Sequence, residues 1–422
     1  MSDGRDERDR PLRVAHLITR LIVGGAQENT LHTVEDEHRL HGDDVSLITG
    51  PGIGPEGTLE PRARAGGFPL HILPKFGRSI HPLHDWNSTR QLTRLLRDIR
   101  PDVVHTHSSK AGIIGRYVAE RLRIPAVHTV HGASFHYGQH PLAYRTYVMA
   151  ERWAARRTAR FICVADAMTD DYVAAGIAPR EQFVTIYSGF DVEPFVSPPR
   201  PREDVRRELG LEPHHVVIGK VARLFHLKGH EFVLQAAVPV IRANPDVRFV
   251  FVGDGLRREE FEDWIARHGL TEHFRFTGLV PPTQVPELIH AMDVVVHTSQ
   301  WEGLARGLPQ GLIAGKPVVS YDVGGAREVV IPGQTGYLLP RDSVDELVEA
   351  LLELSGNADL RTRLGQTGRE RFTEQFRHQY MTSRIREVYQ QVLEATHPNR
   401  RTPTGEPRTS PGAPRTPGEP RA

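Results

Sequence analysis

Short apolar runs that read as buried strands alternate with helical segments along most of the chain. Such a rhythm is typical of parallel sheets covered by helices on both faces, because each crossover returns the chain to the same end of the sheet. The sequence therefore predicts an α/β fold with two doubly wound, Rossmann-like domains. The predicted strands comprise residues 12–19, 43–50, 68–74, 101–108, 125–132, 161–166, 183–191, 215–224, 247–255, 274–280, 293–299 and 317–322.

The length of 422 residues is too great for one ordinary core and predicts two domains. A proline-rich polar segment, 193–204, is the predicted linker between them. The charged N-terminus and the Pro- and Arg-rich tail are expected to be disordered. The predicted units are a disordered segment 1–11, a first domain 12–195, a second domain 196–375 and a disordered tail 398–422.

Composition excludes several classes of protein. A formal net charge of +1 gives no indication of a nucleic-acid partner. The one cysteine, Cys163, lies in an apolar run and fits a buried thiol in a reducing compartment. The charged N-terminus lacks the apolar stretch of a signal peptide, and no window has the ~20 apolar residues of a membrane span. We expect a cytoplasmic protein whose association with the inner face of the membrane, if any, is peripheral.

Polar and glycine residues in the first half lie where ligands bind in parallel sheets, after the carboxyl ends of strands. Gly24 and Gly25 follow the first predicted strand and permit backbone N–H groups to approach an anion or a sugar. They lack the G-x-G-x-x-G spacing, so a plain turn explains them equally well. His107 and His131 each end a predicted strand. A surface or strand-end role is the simpler interpretation of His107, with an acceptor pocket as the alternative.

The second half carries charged residues with similar placement. Arg223 and Lys228 flank a loop before a helix, as expected for a diphosphate site, although solvated surface charges are the alternative. Gly253 and Gly278 end two further strands, where backbone can lie close to a nucleobase. Glu302 and the helical residue Gln310 are expected to accept hydrogen bonds from sugar hydroxyls.

The ordered set of motifs HTHSSKAGIIGR, HTVHG, ARLFHLKG, WEGLARGLPQGLIAGKPVV and VGGAREVV resembles the retaining glycosyltransferases of family 4, which have the GT-B fold. The resemblance implies two domains facing each other across a cleft, with a C-terminal helix, 376–397, packing back on the first. It also implies a nucleotide-sugar donor, with UDP favoured over GDP, and a glycan or polyprenyl-linked glycan acceptor in cell-surface polysaccharide synthesis. A hexosyl- or N-acetylhexosaminyl-type transferase without a cofactor is expected. No Asp-x-Asp pair occurs in the chain, which favours a metal-independent enzyme.

The resemblance also implies roles for individual residues. Arg223 and Lys228 would neutralise the leaving diphosphate, Glu302 would hold the donor sugar, and His131 would lie near the anomeric carbon. We expect the remaining contacts from residues that line the donor or the acceptor: Gly24, Gly25, Gly253, Gly278, Gly303, Leu304 and Gln310 for the donor, and His107 and Lys110 for the acceptor.

Gln310 departs from the family pattern, which has a second glutamate there for the ribose hydroxyls. A glutamine still accepts a hydrogen bond, but without the help of a charge. This substitution favours one alternative, a non-catalytic nucleotide-sugar-binding partner of a transferase assembly. A nucleotide-sugar epimerase of the same fold is a second alternative. An oxidoreductase is not expected, because neither half has the dinucleotide fingerprint.

An arginine-rich helix is predicted over residues 142–160. A solvated face is the simpler interpretation of its charges. If the arginines share a side with Tyr147 and Trp153, the helix could dock on an anionic membrane surface and bring the enzyme to a lipid-linked acceptor.

Overall fold

A computed structural model describes residues 10–52, 54, 57–135 and 138–396. The predicted disordered N-terminus, apart from residues 10 and 11, and the predicted tail 398–422 lie outside the described residues.

The first domain is built on seven parallel strands: β1 (Arg13–Ile18), β2 (Asp44–Thr49), β3 (Leu70–Ile72), β4 (Val103–His107), β5 (Ala126–Val130), β6 (Arg160–Cys163) and β7 (Phe183–Thr185). Their order is β3-β2-β1-β4-β5-β6-β7, so the direction of winding reverses between β1 and β4. Strands β4 and β5 are buried along their whole length, as expected where helices cover both faces. Ligands bind in such sheets at the carboxyl ends beside the reversal point.

Six helices follow these strands: α1 (Gly25–Arg39), α2 (Glu60–Arg64), α3 (Pro82–Ile99), α4 (Ser109–Leu122), α5 (Pro141–Ala155) and α6 (Asp166–Ala174). Local sequence sets several of their ends. Helices α3 and α5 begin with a proline, whose fixed φ suits the first helical position. A histidine ring at each N-cap accepts a backbone hydrogen bond. Arg100 ends α3 in the left-handed conformation, with φ of +50°.

The second domain repeats this architecture with a six-stranded parallel sheet: β8 (Val216–Val221), β9 (Val247–Val252), β10 (Phe274–Gly278), β11 (Val294–His297), β12 (Val318–Tyr321) and β13 (Gly336–Leu339). The strand order is β10-β9-β8-β11-β12-β13. Its helices are α9 (His230–Ala243), α10 (Arg258–Arg267), α11 (Val285–Ala291), α12 (Gly307–Ile313), α13 (Ala326–Val329), α14 (Val344–Gly356) and α15 (Ala358–Phe372). Two parallel-sheet domains confirm the predicted fold class. Strand β13 is absent from the prediction, because four residues beginning with glycine carry a weak strand signal.

The predicted linker 193–204 is more ordered than expected. It contains α7 (Glu193–Val196) and the start of α8 (Arg202–Glu208). Phe195 and Val205 are buried in the core of the second domain. The segment is therefore packed onto that domain rather than a free tether, and the exact domain boundaries stay a prediction.

The polypeptide leaves the first domain near Phe190 and returns to it near Phe376, and these two crossings lie side by side. The amide of Phe190 donates a 3.0 Å hydrogen bond to the carbonyl of Phe376, and Phe190 forms a parallel bridge with Arg377. The predicted long helical region 361–395 is interrupted there. Beyond the crossing, α16 (His378–Thr396) covers one face of the first sheet. Its buried side chains pack on those of β1, β4 and β5, and include Met381, Ile385, Val388, Tyr389 and Val392.

A buried ion pair joins α4 to α5 and predicts a large loss of stability. Arg116 Nη2 lies 2.9 Å from Glu151 Oε2, and the two side chains are 0% and 2% exposed. Replacing Glu151 by Ala leaves the guanidinium buried without its anion. We expect the free energy of unfolding to fall by about 3–5 kcal/mol, measured by urea unfolding.

Glu120→Ala is the matched control for this prediction. It removes an exposed partner of Arg157, which lies two residues beyond the end of α5, so its cost should stay below about 1 kcal/mol. An equal decrease in the free energy of unfolding in the two variants would contradict the prediction that breaking the buried pair costs more than breaking the exposed one.

Candidate active site

Glu302 lies in the second domain between two basic side chains. Its Oε1 is 2.5 Å from Lys228 Nζ and 3.4 Å from His297 Nε2. Lys228 precedes α9, and His297 ends β11, so the three groups meet at the carboxyl ends of the central strands. The structure thereby brings together two of the predicted site residues and adds His297, which the sequence analysis did not single out.

The surroundings keep Glu302 ionised. Burial by itself would raise the pKa of this carboxyl, but the neighbouring His297 and the charge of Lys228 outweigh burial and hold the pKa well below its usual range. A carboxylate held in this state accepts hydrogen bonds only, which suits the binding of sugar hydroxyls.

A second lysine lies beneath this cluster. Lys220 on β8 is fully buried, and its Nζ donates to Thr298 Oγ1 at 3.1 Å. Burial lowers the pKa of Lys220 to about 7, and the charge of Lys228 acts in the same direction. Thr298 in turn donates to the carbonyl of Gly229 at 2.6 Å, so Lys220 supports the end of the loop that carries Lys228.

Close backbone packing explains two of the predicted donor glycines. A Cβ on Gly253, whose φ is +136°, would lie 2.3 Å from the carbonyl oxygen of Ala222, beside Arg223. The amide of Gly253 donates to the carbonyl of Gly278 at 3.2 Å. Arg223 itself is exposed at the end of β8. These glycines therefore bring the ends of β8, β9 and β10 together, whatever they contact in a ligand.

Gln310 is half-buried within α12, whereas Glu302 belongs to the preceding loop. The two residues are therefore on either side of a loop-helix junction, because α12 begins only at Gly307. Whether both side chains reach one ligand stays a prediction.

In the first domain, His131 follows β5 and is joined to buried histidines. Its Nε2 lies 3.1 Å from Nδ1 of His107. His107 has no exposed area, so it cannot line an acceptor pocket directly in this structure. Lys110, the other acceptor candidate, lies 2.5 Å from Asp85 Oδ1 and donates to the Ser79 carbonyl, which ties α4 to the start of α3.

Three of these histidines, His16, His105 and His107, lie close enough for their nitrogens to be considered as metal ligands. All six ring nitrogens already have protein partners: Glu37, Tyr389, Thr129, His131 and one another. A metal would have to displace these hydrogen bonds, so the donor set does not favour one.

The loop after Glu302 brings the two domains together. A Cβ on Gly303 would lie 2.7 Å from Met168 Sδ and 3.3 Å from the His131 carbonyl oxygen. Leu304 packs against the cores of both domains. Two predicted donor residues therefore lie at the interface, next to His131.

Charged side chains complete the contact between the domains. Arg306 forms an ion pair with Glu28 on α1 and approaches Gly25, where a Cβ would lie 3.2 Å from its Cδ. Glu328 accepts hydrogen bonds from the first amides of α6, those of Asp166 and Ala167, at 2.9 and 3.1 Å.

Sequence reasoning missed the groups that act across long separations. Glu28, Arg306 and Glu328 carry no local signal of an interdomain role. Lys220 and His297 did carry one, since Lys220 interrupts an otherwise apolar strand and His297 ends another. Those interruptions could have been read as buried functional positions.

Two family models match the chain. Residues 24–189 match a model described as glycosyl transferase 4-like domain, and residues 201–371 match one described as glycosyl transferases group 1. The two matches fall on the two domains and together span most of the chain.

Individual proteins agree with these matches. The UDP-Gal:alpha-D-GlcNAc-diphosphoundecaprenol alpha-1,3-galactosyltransferase of Escherichia coli is 28% identical over 82% of this chain and 88% of its own. The 2-deoxystreptamine N-acetyl-D-glucosaminyltransferase of Streptomyces fradiae is 32% identical over 61% of this chain and 63% of its own.

A solved structure of Anabaena HepE, in complex with UDP and glucose, has the same fold at a TM-score of 0.77 and 21% identity, over 90% of this chain and 100% of that chain. The family models on both domains, the relatives and the shared fold all indicate the same family. The chain belongs to the group 1 glycosyltransferases.

Proposed function

We propose that the protein transfers a sugar, with retention of configuration, from a UDP-sugar to a hydroxyl of a lipid-linked glycan in cell-surface polysaccharide synthesis. The observation that carries this proposal is the contact between the Glu302 loop and His131. It puts an acid paired with a lysine, Lys228, beside a first-domain histidine at one cleft. Donor and acceptor groups need to meet in this way between two domains.

The donor site is inferred from charge. Lys228 and Arg223 would neutralise the diphosphate as it leaves, since preorganised cations stabilise charge that develops in the transition state. Glu302 would hold the sugar hydroxyls. The E. coli relative is named for UDP-galactose and a diphosphoundecaprenol-linked acceptor, which supports a UDP-sugar and a lipid-linked glycan here. A hexosyl or N-acetylhexosaminyl group is proposed on the same ground.

The reaction proposed is a front-face displacement. The acceptor hydroxyl attacks the anomeric carbon from the side of the leaving group, and the leaving diphosphate takes its proton. Glu302 is already paired with Lys228 and His297, so it suits hydroxyl binding better than nucleophilic attack. No metal or cofactor is required by this scheme.

Donor binding and turnover test the proposal together. Among UDP-glucose, UDP-galactose, UDP-N-acetylglucosamine and GDP-mannose, we expect a UDP-sugar to stabilise the protein most. At 100 times its dissociation constant, it should add about 2.7 kcal/mol in a thermal-shift measurement. Lys228→Ala should lower turnover to a polyprenyl-diphosphate-linked sugar by about 10²–10³-fold while the protein stays folded.

The control for this variant is Lys75→Ala, which removes an exposed lysine of the first domain. Turnover near that of the wild type in Lys228→Ala would refute the phosphate assignment. Release of an epimerised sugar without an acceptor would instead support the epimerase alternative.

Gln310 is the feature that favours a non-catalytic binding partner, and its replacement tests whether this side chain contacts the ribose. Gln310→Glu supplies a carboxylate for charge-assisted bonds to the ribose hydroxyls. We expect UDP affinity to rise by about tenfold in calorimetry, with Gln284→Glu, on the surface of the same domain, as the charge-matched control. Unchanged affinity would show that Gln310 does not contact the ribose.

Peripheral binding to an anionic membrane is proposed from an apolar surface near the cleft. No helix in the described part of the chain is long and apolar enough to cross a membrane. The pairs Arg116–Glu151 and Arg157–Glu120 show that α4 and α5 run parallel. The Lys110–Asp85 pair places the start of α3 at the same edge.

Large apolar side chains are exposed at this edge, which is the carboxyl end of the first sheet. They are Ile80, Leu83, Trp86, Leu142, Tyr147 and Met149. The expected role of the α5 arginines changes in part, because Arg152 donates to the Ala175 carbonyl and Arg157 pairs with Glu120. Arg78 and Arg145 are exposed and available to anionic headgroups, and Arg90 lies over the Trp86 ring.

Vesicle sedimentation tests this surface. Replacing Leu83, Trp86 and Leu142 by Ser should weaken binding to phosphatidylglycerol vesicles by at least about tenfold, since each side chain loses its burial in lipid. Leu256→Ser removes an equally exposed leucine of the second domain and should leave binding unchanged. Equal binding by the triple variant and the wild type would refute the proposal.

A further inference from the structure

The start of helix α6 in the first domain is capped from the second domain. The first amides of a helix have no partner within the helix, and the N-cap residue usually supplies a side-chain oxygen for one of them. The N-cap of α6 is Ala165, which has no polar side chain. Glu328 on α13 takes this role, since its Oε2 and Oε1 accept from the amides of Asp166 and Ala167 at 2.9 and 3.1 Å. A backbone N–H can only donate, so the direction of both hydrogen bonds is fixed.

The turn that precedes Glu328 packs on the loop that carries Glu302. The amide of Gly325 donates to the carbonyl of Gly303 at 2.6 Å. Gly324 has a φ of +55°, and a Cβ there would lie 2.3 Å from the carbonyl oxygen of Glu302. A larger residue at position 324 would collide with this backbone. The position of the Glu302 loop therefore depends on the position of the turn.

Helix α6 contacts both the loop and the turn. A Cβ on Gly303 would lie 2.7 Å from Met168 Sδ, and a Cβ on Gly325 would lie 2.7 Å from the Cβ of the α6 N-cap residue. Gly303 also approaches the carbonyl oxygen of His131, which a Cβ would meet at 3.3 Å. The cap, the turn and the loop therefore form one contact between the domains, and this contact joins the backbone beside Glu302 to that of His131.

We propose that Glu328 is a positioning residue: by capping α6 of the opposite domain, it holds the Glu302 loop in register with His131. Under the proposed function, each domain binds its own substrate, and the reacting groups meet only when the two domains are correctly placed. A misplacement of about 1 Å can lower turnover by about 100-fold. The catalytic part of this inference rests on the proposed function; the contact between the domains does not.

Two variants weaken the cap to different degrees, and a third is their matched control. Glu328→Ala removes both acceptors. Glu328→Gln keeps one, because the oxygen of the side-chain amide accepts while its NH₂ group only donates. Asp322→Ala removes an acid from the same connection between β12 and α13, but this acid pairs with Arg327 within the second domain.

Hydrogen–deuterium exchange of the full-length protein, measured on peptides that cover the start of α6, reports on the cap without any substrate. We expect the amides of Asp166 and Ala167 to be protected in the wild type and in Asp322→Ala. They should exchange about tenfold faster in Glu328→Ala, as expected for the loss of about one hydrogen bond, and at an intermediate rate in Glu328→Gln.

Unprotected amides at the start of α6 in the wild type would overturn the proposal, and this result does not require any variant to fold. Equal protection in the wild type and in a folded Glu328→Ala would also overturn it.

Kinetics distinguish a positioning residue from a purely structural cap. With the UDP-sugar selected by the thermal-shift panel, Glu328→Ala should lower kcat by about 10–100-fold, and Glu328→Gln should recover part of it. The affinity for UDP in calorimetry should not change, because Lys228 and Glu302 both belong to the second domain.

A purely structural cap would lower the unfolding temperature of Glu328→Ala and leave kcat of the folded enzyme near that of the wild type. This outcome would overturn the positioning role, as would an equal loss of kcat in Asp322→Ala. Absence of sugar transfer by the wild type, with the expected exchange pattern, would refute the proposed function but not the cap.

Discussion

Polar side chains in the interior of a protein are stable only when they are hydrogen-bonded, and this requirement shapes the first domain. His16, His105 and His107 lie on one face of the first sheet, where no water can serve them. Their partners come from outside the sheet as well as within it. Glu37 belongs to α1, and Tyr389 belongs to α16. The two covering helices therefore supply hydrogen-bonding groups in addition to apolar surface, and their placement over the sheet is specified by both.

In the second domain, the polar groups in the interior and at the cleft are charged side chains, which are stabilised by an ion pair and by hydrogen bonds. Lys228 and Glu302 form an ion pair beside His297 at the edge of the cleft, while Lys220 is buried beneath them with a hydroxyl as its partner. A buried lysine beside a second cation loses its proton more easily, and its pKa of about 7 reflects this cost. The loop that follows Glu302 meets the backbone carbonyl of His131 at Gly303, where the absence of a side chain allows close approach.

Much of the fold could be predicted because its signal is local. Apolar runs such as Val247–Val252 mark strands, and prolines at 82 and 141 mark helix starts. The site was predictable only where a motif preserves it, as for Lys228 and Glu302. The contacts among the buried histidines and Glu37 were not, because His16 and His107 are 91 residues apart and nothing local indicates that Glu37 faces His16. The packed state of residues 193–205 was missed for a related reason, since burial of Phe195 depends on a core formed by later residues.

The placement of α16 has a consequence for the order in which the protein is made. Domains generally fold as units during synthesis, with the N-terminal one first. Here Met381, Ile385 and Tyr389 close the core of the first domain, yet they are among the last described residues to leave the ribosome. Until then, the face of the first sheet that carries His16 and His105 is covered by α1 but not by α16. The domain that begins the chain is completed last, and the second domain must form while its neighbour is still open.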